Sequence, residues 1–333
     1  MKESLKILVS LFYLTLILMT GPIYAQDSLT NKKQSFCQKL VDTFIDKDIS
    51  RWSIRGLANF KDNRFRLSNE EYILEYFPNN RSGIGFGFLN SKLLVDIIFN
   101  LKTNKDEITE RFDMQGDLMM GRSYAIFQVQ TYQGFNVKNI TINDPGIFRR
   151  DIKTLTLNLL YFYIFNSEVN TLSSIFTGVN KNYKSAGSFI GGLYMDFHKM
   201  DADSSIVPQS SAELFNDQAQ IVAYNQFGLG INFGYSYFFK LPANFLVVLA
   251  AAPGTGLSFK NIDTETISYN PSDIWHGSIT ANIQLAYNGP RIYVELSSIN
   301  TWFFTSLNYN NKWRMNSTKM KLAIGWKLRK HEI

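Results

Sequence analysis

The chain has one cysteine, three histidines and eight prolines in 333 residues, and only 19% of its residues are charged. One cysteine excludes a disulfide-built scaffold. Three scattered histidines and the distant Cys37 leave no ligand spacing for zinc, and nothing in the sequence calls for a cofactor. Long apolar runs are missing too. Only Ile7 to Met19 approaches an uncharged spanning stretch, which excludes a multi-span helical protein. Basic residues outnumber acidic ones by 34 to 28, for a net charge of +6, but they are scattered. No basic stripe or aromatic–basic module points to nucleic acid. What the chain does have is 27 Phe, 17 Tyr and 5 Trp, ample apolar surface for a folded protein.

Residues 1–25 read as a secretory signal peptide. Lys2 and Lys6 start it, Leu5 to Met19 is its apolar stretch, Gly21-Pro22 breaks it, and Ala25 is the small residue before the expected cut. An N-terminal anchor helix is the rival reading. Cys37 lies well beyond Gln26, so it is not placed for lipid attachment at a new N-terminus. Residues 26–50 are polar and are expected to form a periplasmic N-terminal segment. Residues 51–328 are the main domain, and 329–333 a tail.

From Arg51 onward the dominant pattern is period two, the signature of strands with two unlike faces. Trp52, Ile54, Ala58 and Phe60 alternate with Ser53, Arg55 and Asn59. Ile108, Phe112, Met114 and Leu118 alternate with Arg111, Asp113, Gln115 and Asp117, and similar patterns occupy 123–132, 154–165, 275–287 and 319–328. Weaker candidates are 70–77, 83–89, 92–101, 169–180, 186–198, 222–238, 244–252 and 290–300. Asn288-Gly289 marks a hairpin. Residues 199–217 and 261–273 read as loops. The strands are long, and many apolar faces end in aromatics such as Trp52, Tyr161, Trp275, Tyr287 and Trp326. Both features favour an all-β, transmembrane antiparallel barrel of about twelve strands, within ten to fourteen, over a soluble periplasmic β-sandwich. The expected location is the outer membrane.

Several motifs resemble a family of Bacteroidota-type bacteria known as domain of unknown function 4421. They are Asp42-Thr43-Phe44-Ile45, Tyr76-Phe77-Pro78-Asn79 with Gly83-Ile84-Gly85-Phe86, Tyr132-Gln133-Gly134-Phe135, Lys184-Ser185-Ala186-Gly187-Ser188-Phe189, and Pro253-Gly254-Thr255-Gly256, the last taken as a turn. The resemblance implies an uncharacterised outer-membrane β-barrel and supplies no catalytic residues. Read physically, Pro78 suits a strand end. Gly83, Gly85 and Gly87 leave one strand face nearly bare, with room for a bulky lumen residue.

The chemistry on offer is sparse. His276 and Ser278 are two apart and should share the lumen face, an arrangement like that of outer-membrane lipid A deacylases. Glu295, the nearest carboxylate in the sequence pattern, falls opposite about Asn282, too far away to orient His276. Catalysis is therefore the alternative, and a passive narrow channel or a structural or interaction scaffold the leading expectation. Asp201 and Asp203 form a loop carboxylate pair without the rest of a calcium loop. Arg51, Arg55, Arg111, Lys319, Lys321 and Lys327 are expected to share the inner face with Glu75, Asp96, Asp113, Asp117, Asp196 and Glu295. If the last strand pairs with the first, the Lys and Arg residues make a basic wall at the seam. Such a wall suits a small anionic solute or lipid A phosphates. Membrane lipid and lipopolysaccharide are the expected partners, with protein partners unspecified.

Overall fold

Alternation of this kind dictates extended backbone, and the computed structural model consists almost entirely of strands. It describes residues 52–90, 93–101, 107–120, 122–142, 144–166 and 184–328. The strands are β1 (Ser53–Ser68), β2 (Ile73–Phe77), β3 (Ser82–Leu89), β4 (Leu93–Asn100), β5 (Glu110–Met120), β6 (Ser123–Asn139), β7 (Ile147–Ile164), β8 (Ala186–Asp201), β9 (Ile221–Lys240), β10 (Phe245–Thr264), β11 (Ser268–Tyr269), β12 (Trp275–Asn288), β13 (Ile292–Asn308) and β14 (Asn311–Lys327). No helix among the described residues is long and apolar enough to cross a membrane.

Neighbouring strands pair antiparallel, and β14 pairs with β1 to close a ring of twelve. Ring closure excludes the two-sheet sandwich. Following paired residues around the ring from Ser53 returns to β1 at Leu67, a stagger of fourteen residues (67 − 53). Such a stagger tilts the strands by about 40°. The wall is not uniform. Away from the end that holds Trp52 and Leu328, here called the terminal end, β2 pairs with β1 on one side and β6 on the other. There it replaces β3, β4 and β5, so the barrel narrows by two strands. Pro78 ends β2 and lets the chain step from the upper wall to the lower.

The outer face is apolar. Phe227, Leu229, Ile231, Phe233, Tyr235 and Phe239 on β9, and Met320, Leu322, Ile324 and Trp326 on β14, are all exposed. The inner face carries Arg55, Asn59, Asp117, Asp196, His276 and Lys321, all buried. Apolar outside and polar inside is the pattern of a barrel built for lipid. The lumen is more apolar than the sequence reading expected, however. Leu89, Leu94, Phe162, Ile164, Ile190, Phe238 and Leu246 form a buried cluster towards the terminal end. Phe65, Tyr76, Tyr132, Phe135, Tyr224 and Trp313 form a second at the opposite end. Phe65 lies between Tyr76 and Trp313, with ring centroids 4.3 and 4.8 Å away. Ile206, Val207 and Phe215, from the connection after β8, belong to the same cluster, and Tyr76 donates to the Ile206 carbonyl at 3.1 Å.

Several boundaries differ from expectation. β13 and β14 together cover residues 301–318, where no strand was read; the turn between them places Asn308, Tyr309 and Asn310 at positive φ. Asn tolerates that conformation better than most residues. The expected loop at 261–273 instead holds the end of β10 and all of β11. Pro253-Gly254-Thr255-Gly256 is not a turn but the middle of β10. Proline cannot donate to a ladder, and the β9–β10 pairing is interrupted at Ala252 and Pro253. The Tyr132–Phe135 motif contains a bulge, with Gly134 at φ +89 between register-shifted partners on β7. The signal peptide, Cys37, the segment 26–50, Asp42–Ile45, the candidate strand 169–180 and His331 lie outside the described residues.

Candidate functional site: the charged lumen layer

Between the two apolar clusters lies a layer of ionised and amide side chains. Arg55 on β1 is its centre. Its Nε and Nη2 atoms hold Asp96 at 2.8 and 2.6 Å, and its Nη1 reaches Glu295 at 3.1 Å. Lys321 on β14 approaches the same two carboxylates at 3.3 and 3.6 Å. Two cations and two anions from β1, β4, β13 and β14 thus form a closed square. The glycine-bare face of β3 makes this possible, because a Cβ on Gly87 would overlap the Asp96 carboxylate. Beside the square, Lys61 meets Asp113 at 3.2 Å and Tyr132 donates to Asp113 at 3.1 Å. Lys319 donates to Gln115 at 2.6 Å.

The expected basic wall at the β14–β1 seam exists as a row of residues but not as a field of one sign. Arg55 and Lys321 are paired with Asp96 and Glu295. Lys327 is turned to Asn288 and the Gly289 carbonyl. Arg51 lies outside the described residues. Five cations (Arg55, Lys61, Arg111, Lys319, Lys321) face five carboxylates (Asp96, Asp113, Asp117, Asp196, Glu295) in this layer. Glu75 is on the other side of the wall, a correction to the sequence reading. It stands opposite Arg66 on β1 and Lys138 on β6, on the outer face, and is buried beneath the arginines there.

His276 and Ser278 do face the lumen, and both are buried. The structure gives them separate partners. His276 Nε2 lies 2.9 Å from Asp196 Oδ1, and Ser278 donates to Asn232 Oδ1 at 3.0 Å. Glu295 stands opposite Ala286 rather than Asn282, because Asn288 is still in the strand, paired with Tyr293, and the turn is centred on Pro290-Arg291. Asp196 is thus the carboxylate that holds His276, and sequence spacing had no means of finding it, since it lies eighty residues away on β8. The available signal was Gly228: a Cβ there would strike the Asp196 carboxylate, so β9 is bare where β8 places its acid. Gln226 completes the group, donating to Asp196 at 2.9 Å, while His276 stacks on Phe303 at 5.4 Å between centroids. Among the described residues no three His, Cys, Asp or Glu side chains are grouped to hold a metal.

Two further features border the layer. A cavity of about 70 Å³ lies against Lys319, Lys321, Gln115, Asp117, Glu295 and Asn282, polar enough and large enough for a few waters. In addition, among the described residues β4 and β5 are joined over three residue pairs, Leu93–Leu118, Leu94–Asp117 and Val95–Gly116. Above these, side chains bridge the gap. Arg111 donates to Asn100 Oδ1 at 2.6 Å and to the Arg81 and Ser82 carbonyls, and Asn100 returns a bond to the Arg111 carbonyl at 2.8 Å.

A family model described as "Domain of unknown function (DUF4421)" matches residues 40–327. The chain belongs to this family. The matched span covers the whole ring, from β1 to the last residue of β14, so the DUF4421 region and the barrel coincide. No curated protein matches. Solved structures that align with this DUF4421 chain include the P. putida toluene transporter TodX, at 7% identity and TM-score 0.26 over 84% of this chain and 91% of that one. OmpT of Vibrio cholerae aligns at 5% identity and TM-score 0.31 over 85% and 99%, and OprG from Pseudomonas aeruginosa at 13% and 0.26 over 85% and 100%. Likeness at this level carries no functional argument.

Proposed function

We propose that this chain is an outer-membrane β-barrel with a closed lumen, serving as a structural or interaction scaffold rather than as an enzyme. Its apolar exterior and ring closure support a place in lipid, where every backbone donor and acceptor must be satisfied within the wall. The observation that carries the closed reading is the filling of the lumen at successive levels: an apolar cluster, the ion-paired layer, and the Phe65–Tyr76–Trp313 stack with Ile206 and Phe215 over it. The partner of Ser278 supports the non-enzymatic half, since the serine donates to Asn232 and not to His276.

The test is conductance of the purified full-length protein in planar bilayers. The closed reading expects no unitary steps from the native chain, and none from a Phe65→Ala/Trp313→Ala double variant, in which the apolar cluster and the ion-paired layer still fill the lumen. Steps from the native chain would instead favour a narrow conduit, the second reading, for which the polar cavity beside Lys319 and Lys321 speaks. An anion preference lost in Lys321→Glu would then mark a small anionic solute.

A further inference from the structure

The outer face of β14 is graded. From the Lys312 end it runs Lys312, Arg314, then Asn316, Thr318, then Met320, Leu322, Ile324 and Trp326. The β1 face follows the same order and the β13 face does so in part, since Trp302 and Phe304 stand opposite Asn316 and Arg314. On β1 the outward residues are Arg66, Arg64 and Asp62 above Phe60, Ala58 and Ile54, and on β13 Asn300 and Ser298 stand above Leu296 and Ile292. The neutral residues are linked to one another, Thr318 donating to Asn300 at 2.8 Å and Asn300 to Ser298 at 3.1 Å. The outer face of β9 is apolar from Phe227 to Phe239 and turns polar at Asn225, which lies between Lys199 on β8 and Asn261 on β10, but there Lys199 is paired with Asp201.

The charged part of this face is unevenly neutralised. Arg66 is held by Glu75 at 2.6 Å, and Arg64 by Asp62. Arg314 stands directly opposite Arg66, and like charges in that position repel. Among the described residues no carboxylate lies within ion-pair distance of Arg314 or Lys312. Next to them is a hollow of about 320 Å³ lined by Arg66, Ser68, Asn69, Lys312 and Arg314, and also by Glu70, Glu71 and Ile73. The hollow has room for a phosphate, and an anion between Arg66 and Arg314 would relieve their repulsion. From Arg314 to Met320 is six residues, roughly 20 Å along the strand and about 15 Å along the membrane normal at this tilt. That span exceeds a single phosphate and suits a sugar headgroup with amide and hydroxyl linkages.

We propose that the β13–β14–β1 wall binds a phosphorylated glycolipid. A phosphate sits between Arg66, Arg314 and Lys312. The sugar and acyl linkages lie along Asn316, Thr318 and Asn300. The acyl chains cover Met320, Leu322, Ile324 and Phe60. The proposal rests on the outer-membrane reading above and gives it a lipid partner. The probes are diphosphoryl lipid A and a neutral glycolipid of matching acyl chains, added to the purified full-length barrel in dodecyl maltoside and read by native mass spectrometry. The expected result is at least tenfold preference for the diphosphoryl form. A Lys312→Ala/Arg314→Ala variant should lose that preference, Arg314→Lys should keep most of it, and Lys199→Ala on β8 should leave it unchanged. Heat-modifiable gel migration verifies that each variant is folded. Equal binding of the two lipids, native-like binding by the double variant, or displacement by inorganic pyrophosphate at lipid-equivalent concentration would overturn the assignment. Flotation with lipid vesicles is the separate check on the membrane reading: failure of the native chain to float removes both, whereas flotation without phosphate preference removes only the lipid site.

Discussion

The two halves of this barrel are built to different rules. In the wall from β8 to β10, ladders are long: β8 pairs with β9 over sixteen residues, Ala186 to Asp201. Its outer face is apolar from Phe227 to Phe239 on β9 and polar only beyond, at Lys199, Asp201, Asn225 and Asn261, and inside it Asp196, held by His276 and Gln226, is accompanied by the buried His198 and Lys260. In the wall from β13 through β1 to β5, the ladder falls to three pairs at β4–β5, the outer face is graded, and the interior is crowded with ion pairs. The contrast teaches that a closed barrel needs only part of its circumference to be plain wall. The remainder can carry charge on both faces, paired inside the lumen and partly unpaired outside.

The sharpest way to break the comparison is to remove the charge at the centre of the denser half. Arg55→Ala strands Asp96 and Glu295 in a buried site and should cost about 3–5 kcal/mol, read as a lowered denaturant midpoint on a heat-modifiable gel. Asp196→Asn, which keeps the shape of the opposite group, should cost less. Next in size, Ile231→Arg on the plain outer face should cost about 2–4 kcal/mol, whereas Asn300→Arg on the graded face should cost under about 1 kcal/mol by the same assay. A smaller effect tests why glycines sit where they do. Gly228→Ala should lose about 1–3 kcal/mol by overpacking against Asp196, while Gly56, with nothing near its would-be Cβ, should accept alanine at no loss. A local change in dynamics is expected from Arg111→Ala, which removes the side-chain bridge between β4 and β5. Hydrogen exchange should quicken in β4 and β5 and stay unchanged in β9; uniform quickening would mean that the three-pair seam is not an independent weak point.

The sequence made the ring legible because period two survives wherever one face must meet lipid. Trp326, Ile324, Leu322 and Met320 announce β14 without ambiguity. The pattern weakens where the outer face turns polar, and residues 301–318 were missed for that reason: Asn316 and Thr318 point outward, so the alternation of apolar and polar disappears. Lumen residues were legible by face but not by partner. His276 and Ser278 were correctly placed on the inner side, yet the distance that matters runs across the lumen to Asp196, and no spacing along one strand encodes it. Glu75 was misplaced because its strand is short and a carboxylate hidden beneath arginines looks, in sequence, like one hidden inside a barrel.

The narrowing of the wall has a consequence for assembly. Leu74 and Asn139, paired through β2 and β6, are 65 residues apart (139 − 74), whereas Ser53 and Lys327, paired at the closing seam, are 274 apart (327 − 53). Chain entropy favours the shorter closure by about 1 kcal/mol. β1 to β6 can therefore join into a small ring of their own before the remaining strands exist, and that early ring offers two ready edges, one on β1 and one on β6. In the finished barrel β7 pairs with the second edge and β14 with the first, so the device that constricts the wall also divides it into a short-range ring and a long-range one.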